Sequence, residues 1–342
     1  MPQKSGEILI IDIFGLGDLI YLGSFVKTIR ENTDNRISVI INSRNGSFPF
    51  LNESGTKIYL FETWKSKSTG KRLFEFFKSV LKFRKKYGLD FKNCIGLDPR
   101  GDPLHWFFLY SLGVKKILSS TIQNPLFLLK KRHTYEKINN CNVFEARQRF
   151  LQKIAPSIGL PGNASLIWPW LNIPRDKHPT NELASKNIIF APEAGFPSKY
   201  WEGKKWVILA QKLHEEGWHI TLIAHKNDAI DKTDQHLFDR VWTGSLENLR
   251  FLLSESRAVI AIDSFVGHLA AACGVPVVSI FGPTSPQNWR PWGKHNQVVI
   301  LDNYPCRPCT LVNCVMPDRN CLDALSVEDV LGVFRRIIAA GG

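Results

Sequence analysis

An acid, a hydroxyl and an imidazole lie close together in AIDSFVGHLAAACGVPVVSIFGPTSP, residues 261–286. One apolar run stops at Asp263, His268 follows a short loop, and a second apolar run ends at FGPT, residues 281–284. Ligands bind at the carboxyl ends of parallel strands, and a helix that begins there offers free N–H groups to a phosphate. Asp263 alone or His268 alone would more often only form hydrogen bonds with the nearby backbone. Together, at the ends of two strands, they predict a binding site.

A second acid, Asp18, follows the apolar run 7–14 in the turn Gly15-Leu16-Gly17-Asp18. Glycines at such a turn let the backbone approach a ligand closely. A dinucleotide-binding fingerprint would need a third glycine where Ile20 stands, so a nicotinamide or flavin enzyme is disfavoured. Asp18 is therefore either a helix N-cap or a functional carboxylate. The sequence has no Asp-X-Asp triplet, which disfavours a metal-bridged nucleotide-sugar site.

Four cysteines near the C-terminus have the spacing Cys306-X2-Cys309-X4-Cys314-X6-Cys321. The chain has seven cysteines, an odd number, and its N-terminus is a poor signal peptide, which favours reduced thiols over disulfides. Four thiols that begin with Cys-X2-Cys can form a tetrahedral metal site. We therefore expect either a structural Zn or Fe site here or four free thiols packed in a loop.

Apolar runs and amphipathic segments alternate along the chain. In the helix predicted at 71–88, one face carries Leu73, Phe76, Phe77, Val80 and Leu81. Alternating strands and helices predict a parallel sheet covered on both faces. The pattern stops in a proline-rich stretch at 161–186, which we interpret as a linker, and then begins again. A length of 342 residues also suits two domains.

The net positive charge of the chain is confined to its first half. Residues 1–170 hold 26 Lys and Arg against 13 Asp and Glu, whereas residues 171–342 hold 18 of each. This half is expected to meet an anionic partner, such as nucleic acid, a phosphorylated glycolipid or a membrane surface. The candidate contacts are Lys78, Lys82 and Lys85, with a second basic segment at 127–133. No apolar run is long enough to span a bilayer, so we expect a cytoplasmic protein, peripheral on the inner membrane.

Three segments together resemble glycosyltransferase family 9, the ADP-heptose:lipopolysaccharide heptosyltransferases and their relatives. They are ILIIDIFGLGDLIYLGSFVKTIREN, APEAGFPSKYWEGKKWVILAQKL and SLENLRFLLSESRAVIAIDSFVGHLAAACGVPVVSIFGPTSP. The resemblance implies an α/β protein of the GT-B fold, with two Rossmann-like domains that face a central cleft. We place an acceptor-binding domain at 1–170, a donor-binding domain at 171–325 and a C-terminal helix at 326–342.

The activity that the resemblance implies is an inverting, metal-independent sugar transfer that requires no cofactor for catalysis. The donor would be a nucleotide-diphosphate sugar, ADP-heptose, and the acceptor a lipopolysaccharide-type anionic glycolipid, without a nucleic-acid partner. Two alternatives to this activity remain open. In the first, the chain is a GT-B nucleotide-sugar enzyme of another kind, an epimerase or phosphorylase. In the second, it is a non-catalytic basic binding protein.

The resemblance also implies roles for individual residues. Asp18 matches the general base, and Lys199 matches a lysine that contacts the donor phosphates. The family commonly has Gly where this chain has Phe265, and we expect that side chain to narrow the phosphate loop or to change the sugar accepted. Asp228 is a candidate for the ribose-binding acid. The rest of the expected donor site is Gly195, Gly244, Asp263, Ser264, His268 and Thr284.

Overall fold

The computed structural model describes residues 6–46, 48–52, 55–62, 69–88, 90–120, 141–171, 185–224, 229–301, 304–309, 311–316 and 320–340. Within it the chain divides into two compact units, Met1–Ile167 and Trp168–Gly342. Among the described helices, none has the length and apolar content needed to cross a membrane.

The first unit contains a sheet of five parallel strands in the order β3-β2-β1-β4-β5. The central strand is buried on both faces, as its nearly continuous apolar sequence predicts for a parallel sheet. The strands are β1 (Glu7–Asp12), β2 (Arg36–Asn42), β3 (Lys57–Phe61), β4 (Cys94–Asp98) and β5 (Lys116–Ser119).

Five helices in this unit are described. Polar side chains start two of them: the Asp102 carboxylate accepts the Leu104 N–H at 2.8 Å, and the Asn142 side chain accepts the Phe144 N–H at 2.9 Å. The helices are α1 (Leu16–Asn32), α2 (Pro49–Asn52), α3 (Thr69–Tyr87), α4 (Pro103–Ser111) and α5 (Val143–Ile154).

The second unit repeats this architecture with six parallel strands in the order β11-β10-β9-β6-β7-β8. Its strands are β6 (Asn187–Ala191), β7 (His219–Ile223), β8 (Arg240–Trp242), β9 (Ala258–Ile262), β10 (Val277–Ile280) and β11 (Asn296–Val299). The described helices are α6 (Gly203–Glu215), α7 (Leu246–Ser254), α8 (Phe265–Ala272), α9 (Pro286–Trp289) and α10 (Val327–Ala340). A serine precedes the last helix, and the Ser326 hydroxyl accepts the Asp329 N–H at 3.1 Å.

Both sheets have a point where the strand order reverses. In the first it lies between β1 and β4, and in the second between β6 and β9. In doubly wound sheets a crevice forms outside the carboxyl ends of the two strands at this point, and ligands bind in it. The two strand orders therefore point to the residues that follow Asp12, Asp98, Ala191 and Ile262.

Helix α3 packs on its sheet through a narrower face than its sequence predicts. Phe76, Val80 and Phe83 are buried in the aromatic core of the first unit. Phe77 and Leu81, which the sequence analysis assigned to the same face, are 42% and 67% exposed, so that assignment is wrong. The core accepts only one stripe of a helix, and the spacing 76, 80, 83 continues that stripe into the next turn.

Candidate active site

Asp18 lies in the first turn of α1, near the carboxyl end of β1. Gly15 is the N-cap residue, and the Asp18 N–H donates to the Gly15 carbonyl at 3.1 Å. Asp18 is therefore not the N-cap. Its carboxylate accepts a hydrogen bond from Arg100, with 2.5 Å between Nη1 and Oδ1, and the Arg147 Nη2 lies 3.8 Å from the same oxygen. The side chain is 13% exposed.

The surroundings of Asp18 raise its pKa above the ordinary aspartate value. Burial is the largest cause, and the charge of Asp12 acts in the same direction. The charges of Arg100 and Arg147 and a hydrogen bond from the Gly15 backbone lower the pKa but do not outweigh burial. A nearly buried carboxylate with a raised pKa has the properties of a general base.

The loop after β4 holds Arg100 against Asp18. The Arg100 guanidinium carbon lies 3.7 Å from the centre of the Phe14 ring, and the His105 ring lies 5.2 Å from that same ring. The buried Asp98 carboxylate accepts the Gly101 N–H at 3.0 Å and contacts His105 Nδ1 at 3.0 Å. The loop is thus fixed by Asp98 at one end and by stacking at the other.

The Asp98 network is buried and extends to the neighbouring strand. Its second oxygen accepts the Ser119 hydroxyl at 2.9 Å from the end of β5. Burial opposes protonation of His105, but the hydrogen bond to Asp98 and its charge outweigh burial and raise the His105 pKa. The other ring nitrogen, Nε2, is buried and has no hydrogen-bond partner among the described residues.

Arg147 joins α5 to the strand end that precedes Asp18. Its Nη2 donates to Asp12 Oδ2 at 2.6 Å, and its Nη1 donates to the Asp18 carbonyl at 2.9 Å. Both side chains of the Arg147–Asp12 pair are at most 2% exposed. The sequence analysis missed this pair and Arg100. Asp12 and Asp98 did carry a signal, because each ends an apolar strand as Asp263 was expected to do.

A second polar cluster joins three neighbouring strand ends of the second unit. Lys199, which follows β6, donates to Asp263 Oδ2 at 2.6 Å and reaches the Asp263 carbonyl at 3.3 Å. Thr284, which follows β10, donates its hydroxyl to the same carboxylate oxygen at 2.5 Å. Asp263 itself follows β9 and is 7% exposed. Three residues of the expected donor site therefore meet at the switch point of this sheet.

Ser264 is the N-cap residue of α8, but its side chain makes no capping hydrogen bond. The Ser264 hydroxyl oxygen is buried without a hydrogen-bond partner among the described residues. A buried hydroxyl is normally paired, so this one is available to a ligand at the helix N-terminus. Phe265 is the first residue of the helix and is half-buried.

His268 lies in the same helix and is buried. Burial lowers its pKa to about 4, the charge of Asp263 opposes this, and the charge of Lys199 adds to it. The imidazole is therefore neutral at pH 7.

We expect His268 to destabilise the second unit in acid. Its pKa is about 4 when folded, against about 6.5 for an ordinary histidine, so the unfolded chain binds the proton more readily. The stability that a neutral His268 provides is complete above pH 6.5 and is lost as the pH falls towards 4, by roughly 3 kcal/mol. Thermal unfolding of wild type and His268→Gln between pH 4 and 8 checks this, with a flatter profile for the variant.

The matched control is His295→Gln, at an exposed position of the same unit. It should leave the acid destabilisation in place. Identical pH profiles for wild type and His268→Gln would contradict the expectation.

The two glycines of the expected donor site lie further apart. Gly195 is exposed after β6, and a Cβ added there would meet open space. Gly244 follows β8, where a Cβ would lie 2.5 Å from the Trp242 ring, so the tryptophan requires glycine there. Because β8 is three strands from β9, Gly244 lies about 14 Å along the sheet from the Asp263 cluster.

The predicted metal at the cysteines is not supported. Cys306, Cys309, Cys314 and Cys321 are free, and no group of three or more His, Cys, Asp or Glu in the described part of the chain could hold a metal ion. Cys321 is instead part of the hydrophobic core of the second unit, and burial raises the pKa of its thiol. A metal ligand must be a thiolate, which burial of this kind disfavours.

The remaining predictions concern the surface. Lys78, Lys82 and Lys85 are exposed on α3, and Lys82 pairs with Glu62 at 3.3 Å. Asp228 and segment 127–133 lie outside the described residues.

Residues 87–319 match the family model "Glycosyltransferase family 9 (heptosyltransferase)". The chain belongs to glycosyltransferase family 9. Among curated members, it is 31% identical over 132 residues to lipopolysaccharide heptosyltransferase 1 of Pseudomonas aeruginosa. That match spans 37% of each chain, well under half of the relative.

Two solved structures extend the comparison to nearly the whole family 9 chain. The glycosyl transferase family 9 protein from Veillonella parvula has a TM-score of 0.69 at 16% identity and covers 99% of both chains. An E. coli heptosyltransferase with ADP-2-deoxy-2-fluoro heptose has a TM-score of 0.67 at 16% identity and covers 96% of this chain and 99% of that one. This likeness confirms the GT-B fold class that the sequence predicted.

Proposed function

We propose that this chain is a glycosyltransferase that moves a heptose from ADP-heptose to a hydroxyl of a lipopolysaccharide-type anionic acceptor. The observation that carries the proposal is the Lys199–Asp263–Thr284 cluster at a sheet switch point, beside the N-terminus of α8. The choice of donor is supported by the heptosyltransferase relatives and by the E. coli structure with an ADP-heptose analogue.

In the proposed donor site the second unit holds the diphosphate. Lys199 supplies a fixed positive charge, and the first N–H groups of α8 with the Ser264 hydroxyl supply hydrogen bonds. Asp263 orients the Lys199 ammonium, and Thr284 orients Asp263. Gly195, Gly244, Phe265 and His268 complete this proposed site, with Gly244 towards the nucleotide base. We assign the donor to residues 171–325.

In the proposed acceptor site the first unit, residues 1–170, holds the acceptor near Asp18. The acceptor oxygen attacks the anomeric carbon and its proton passes to Asp18, while the bond from that carbon to the diphosphate breaks and ADP leaves. Attack opposite the leaving group inverts the anomeric configuration. Arg100 fixes the orientation of the Asp18 carboxylate.

Charge on the departing ADP must be stabilised as it develops. In this proposal Lys199 and the N-terminus of α8 provide that stabilisation, so the transfer needs no catalytic metal ion.

The proposal is tested by incubating the full chain with a panel of nucleotide sugars. A ligand that binds only the folded protein raises its melting temperature, and we expect ADP-heptose to cause the largest rise. Mass spectrometry of reactions with a truncated lipopolysaccharide acceptor should then show a product heavier by one heptose. Release of an epimerised nucleotide sugar, or no binding of any nucleotide sugar, would contradict the assignment.

We expect Lys199→Met to weaken ADP binding and to lower kcat. The substitution removes the charge opposite the leaving phosphates, and loss of one such group costs about 10²-fold or more. Calorimetric titration with ADP and steady-state kinetics measure the two effects. Lys199→Arg, which keeps the charge, should lose much less.

Lys204→Met is the matched control, because Lys204 is exposed at the start of α6. Equal ADP affinity and turnover in Lys199→Met and Lys204→Met would show that Lys199 is not part of a donor site.

A further inference from the structure

Helix α3 carries a second apolar stripe on its outer side. Phe74 is 72% exposed and Leu81 is 67% exposed, and Phe77 lies between them on the same stripe. At 100° per residue this stripe is centred roughly 130° around the helix from the buried residues Phe76, Val80 and Phe83. The stripe is therefore not needed to hold α3 on its sheet.

Helix α4 extends this apolar surface. The Phe77 ring meets the half-buried Phe107 ring edge-on, with 5.4 Å between centroids. One turn further along α4, Tyr110 is 61% exposed and stacks on Trp106. We call Phe74, Phe77, Leu81, Phe107 and Tyr110 the α3–α4 surface.

Basic side chains flank the stripe on both sides. Around the helix, Arg84 lies on one side of it, and Lys78, Lys82 and Lys85 lie on the other, all four exposed. The whole of α3 holds seven Lys and Arg and a single Glu. A partner that complements this surface is anionic and also accepts large apolar side chains.

We propose that the α3–α4 surface docks on an anionic lipid bilayer. An interfacial helix buries Phe and Leu at the boundary between headgroups and acyl chains while its Lys and Arg side chains contact anionic headgroups. Tyrosine suits the same depth, because one end of its ring system is apolar and the other is polar. The sequence analysis named three lysines of this helix and the basic segment 127–133 as candidate contacts. The exposed aromatic stripe adds the apolar contact that selects lipid over a purely ionic partner.

This inference stands apart from the proposed transfer reaction, since none of its residues belongs to the Asp18 or Lys199 clusters. The test is co-sedimentation of the full chain with vesicles of phosphatidylcholine alone or with 30% phosphatidylglycerol. We expect wild type to bind the anionic vesicles much more strongly than the neutral ones. Reversal of three lysines, Lys78→Glu, Lys82→Glu and Lys85→Glu, should lower the partition coefficient by about a hundredfold or more.

The charge control reverses three exposed lysines elsewhere in the same unit, Lys92→Glu, Lys115→Glu and Lys116→Glu, and has the same net charge as the α3 variant. It should keep most of the binding.

The apolar variant is Phe74→Ser with Leu81→Ser. Its control is Ile208→Ser with Phe251→Ser, at two exposed positions of the second unit. We expect the first pair to lose vesicle binding and the second pair to keep it. Because all the substituted side chains are exposed, melting temperatures should stay near that of wild type.

Three results would overturn the proposal. The first is equal binding of wild type and both α3 variants to anionic vesicles. The second is binding of wild type to single-stranded oligonucleotides but not to vesicles. The third is a stable dimer, seen by light scattering, that the apolar variant dissociates, because a second copy would then cover the surface.

Discussion

Asp18→Asn should lower kcat by about 10²–10⁴-fold, the range that a positioned general base contributes. The amide has the same size as the carboxylate, and its oxygen can still accept hydrogen bonds from Arg100 and from the Gly15 backbone. It cannot take the proton of the acceptor hydroxyl. We therefore expect a folded variant that binds ADP as wild type does, because Lys199 and Asp263 belong to the other unit.

The pH dependence of kcat/KM gives a second check on Asp18. A general base must be deprotonated, so activity falls as the pH drops below its pKa. Because burial raises the Asp18 pKa, the fall should begin at a higher pH than for an ordinary aspartate. The residual activity of Asp18→Asn should lack this fall.

The matched control is Asp102→Asn. Asp102 is also an aspartate at a helix start in the same unit, and it caps α4. Asparagine caps a helix as well as aspartate does, so this variant should keep its activity. If Asp18→Asn has near-normal turnover too, Asp18 only supports the start of α1.

Arg147→Met should be the most destabilising single change in the first unit. It removes the partner of Asp12, whose side chain is fully buried, and leaves that carboxylate uncompensated. Breaking a buried ion pair from one side costs about 3–5 kcal/mol. Hydrogen exchange in peptides from β1 reports the opening of this unit and should become at least about a hundredfold faster. Peptides from β9 provide the reference in the second unit.

Two further variants test whether loss of the Asp12–Arg147 ion pair causes the destabilisation. Arg149→Met changes an exposed arginine two residues along the same helix and should leave the exchange of β1 unchanged. Asp12→Asn combined with Arg147→Met removes both charges, so it should be more stable than Arg147→Met alone. If the double variant is as unstable as the sum of the two single variants, the ion pair is not the cause.

The sequence by itself determined the class of fold and the segments that carry the donor cluster. Long apolar runs separated by amphipathic segments are enough to predict central parallel strands, because such strands are buried on both faces. Strands β5, β8 and β11 cannot be recognised in this way. Each lies at the edge of its sheet and has three or four residues, so it carries too short an apolar run to be recognised.

Helix periodicity likewise located α3 but not its buried face. Phe76, Phe77, Val80 and Leu81 read as one apolar face, and only packing against Phe61 and Phe108 shows which of them the core accepts. Phe77 and Leu81 lie on the outer surface of the helix. No local rule could tell the two groups apart, since both are large and apolar.

The tertiary structure alone decided which polar residues meet around Asp18 and how the expected donor residues pair with one another. Lys199 comes from one segment and Asp263 and Thr284 from another, and Arg147 lies 135 positions from Asp12. Strand order brings each set to one switch point, and strand order depends on how the whole sheet is wound. Burial then gives these groups their electrostatic properties, raising the Asp18 pKa and lowering that of His268. The distances and the desolvation that produce these shifts arise only when the chain is folded, which is why the residue types could be predicted and their partners could not.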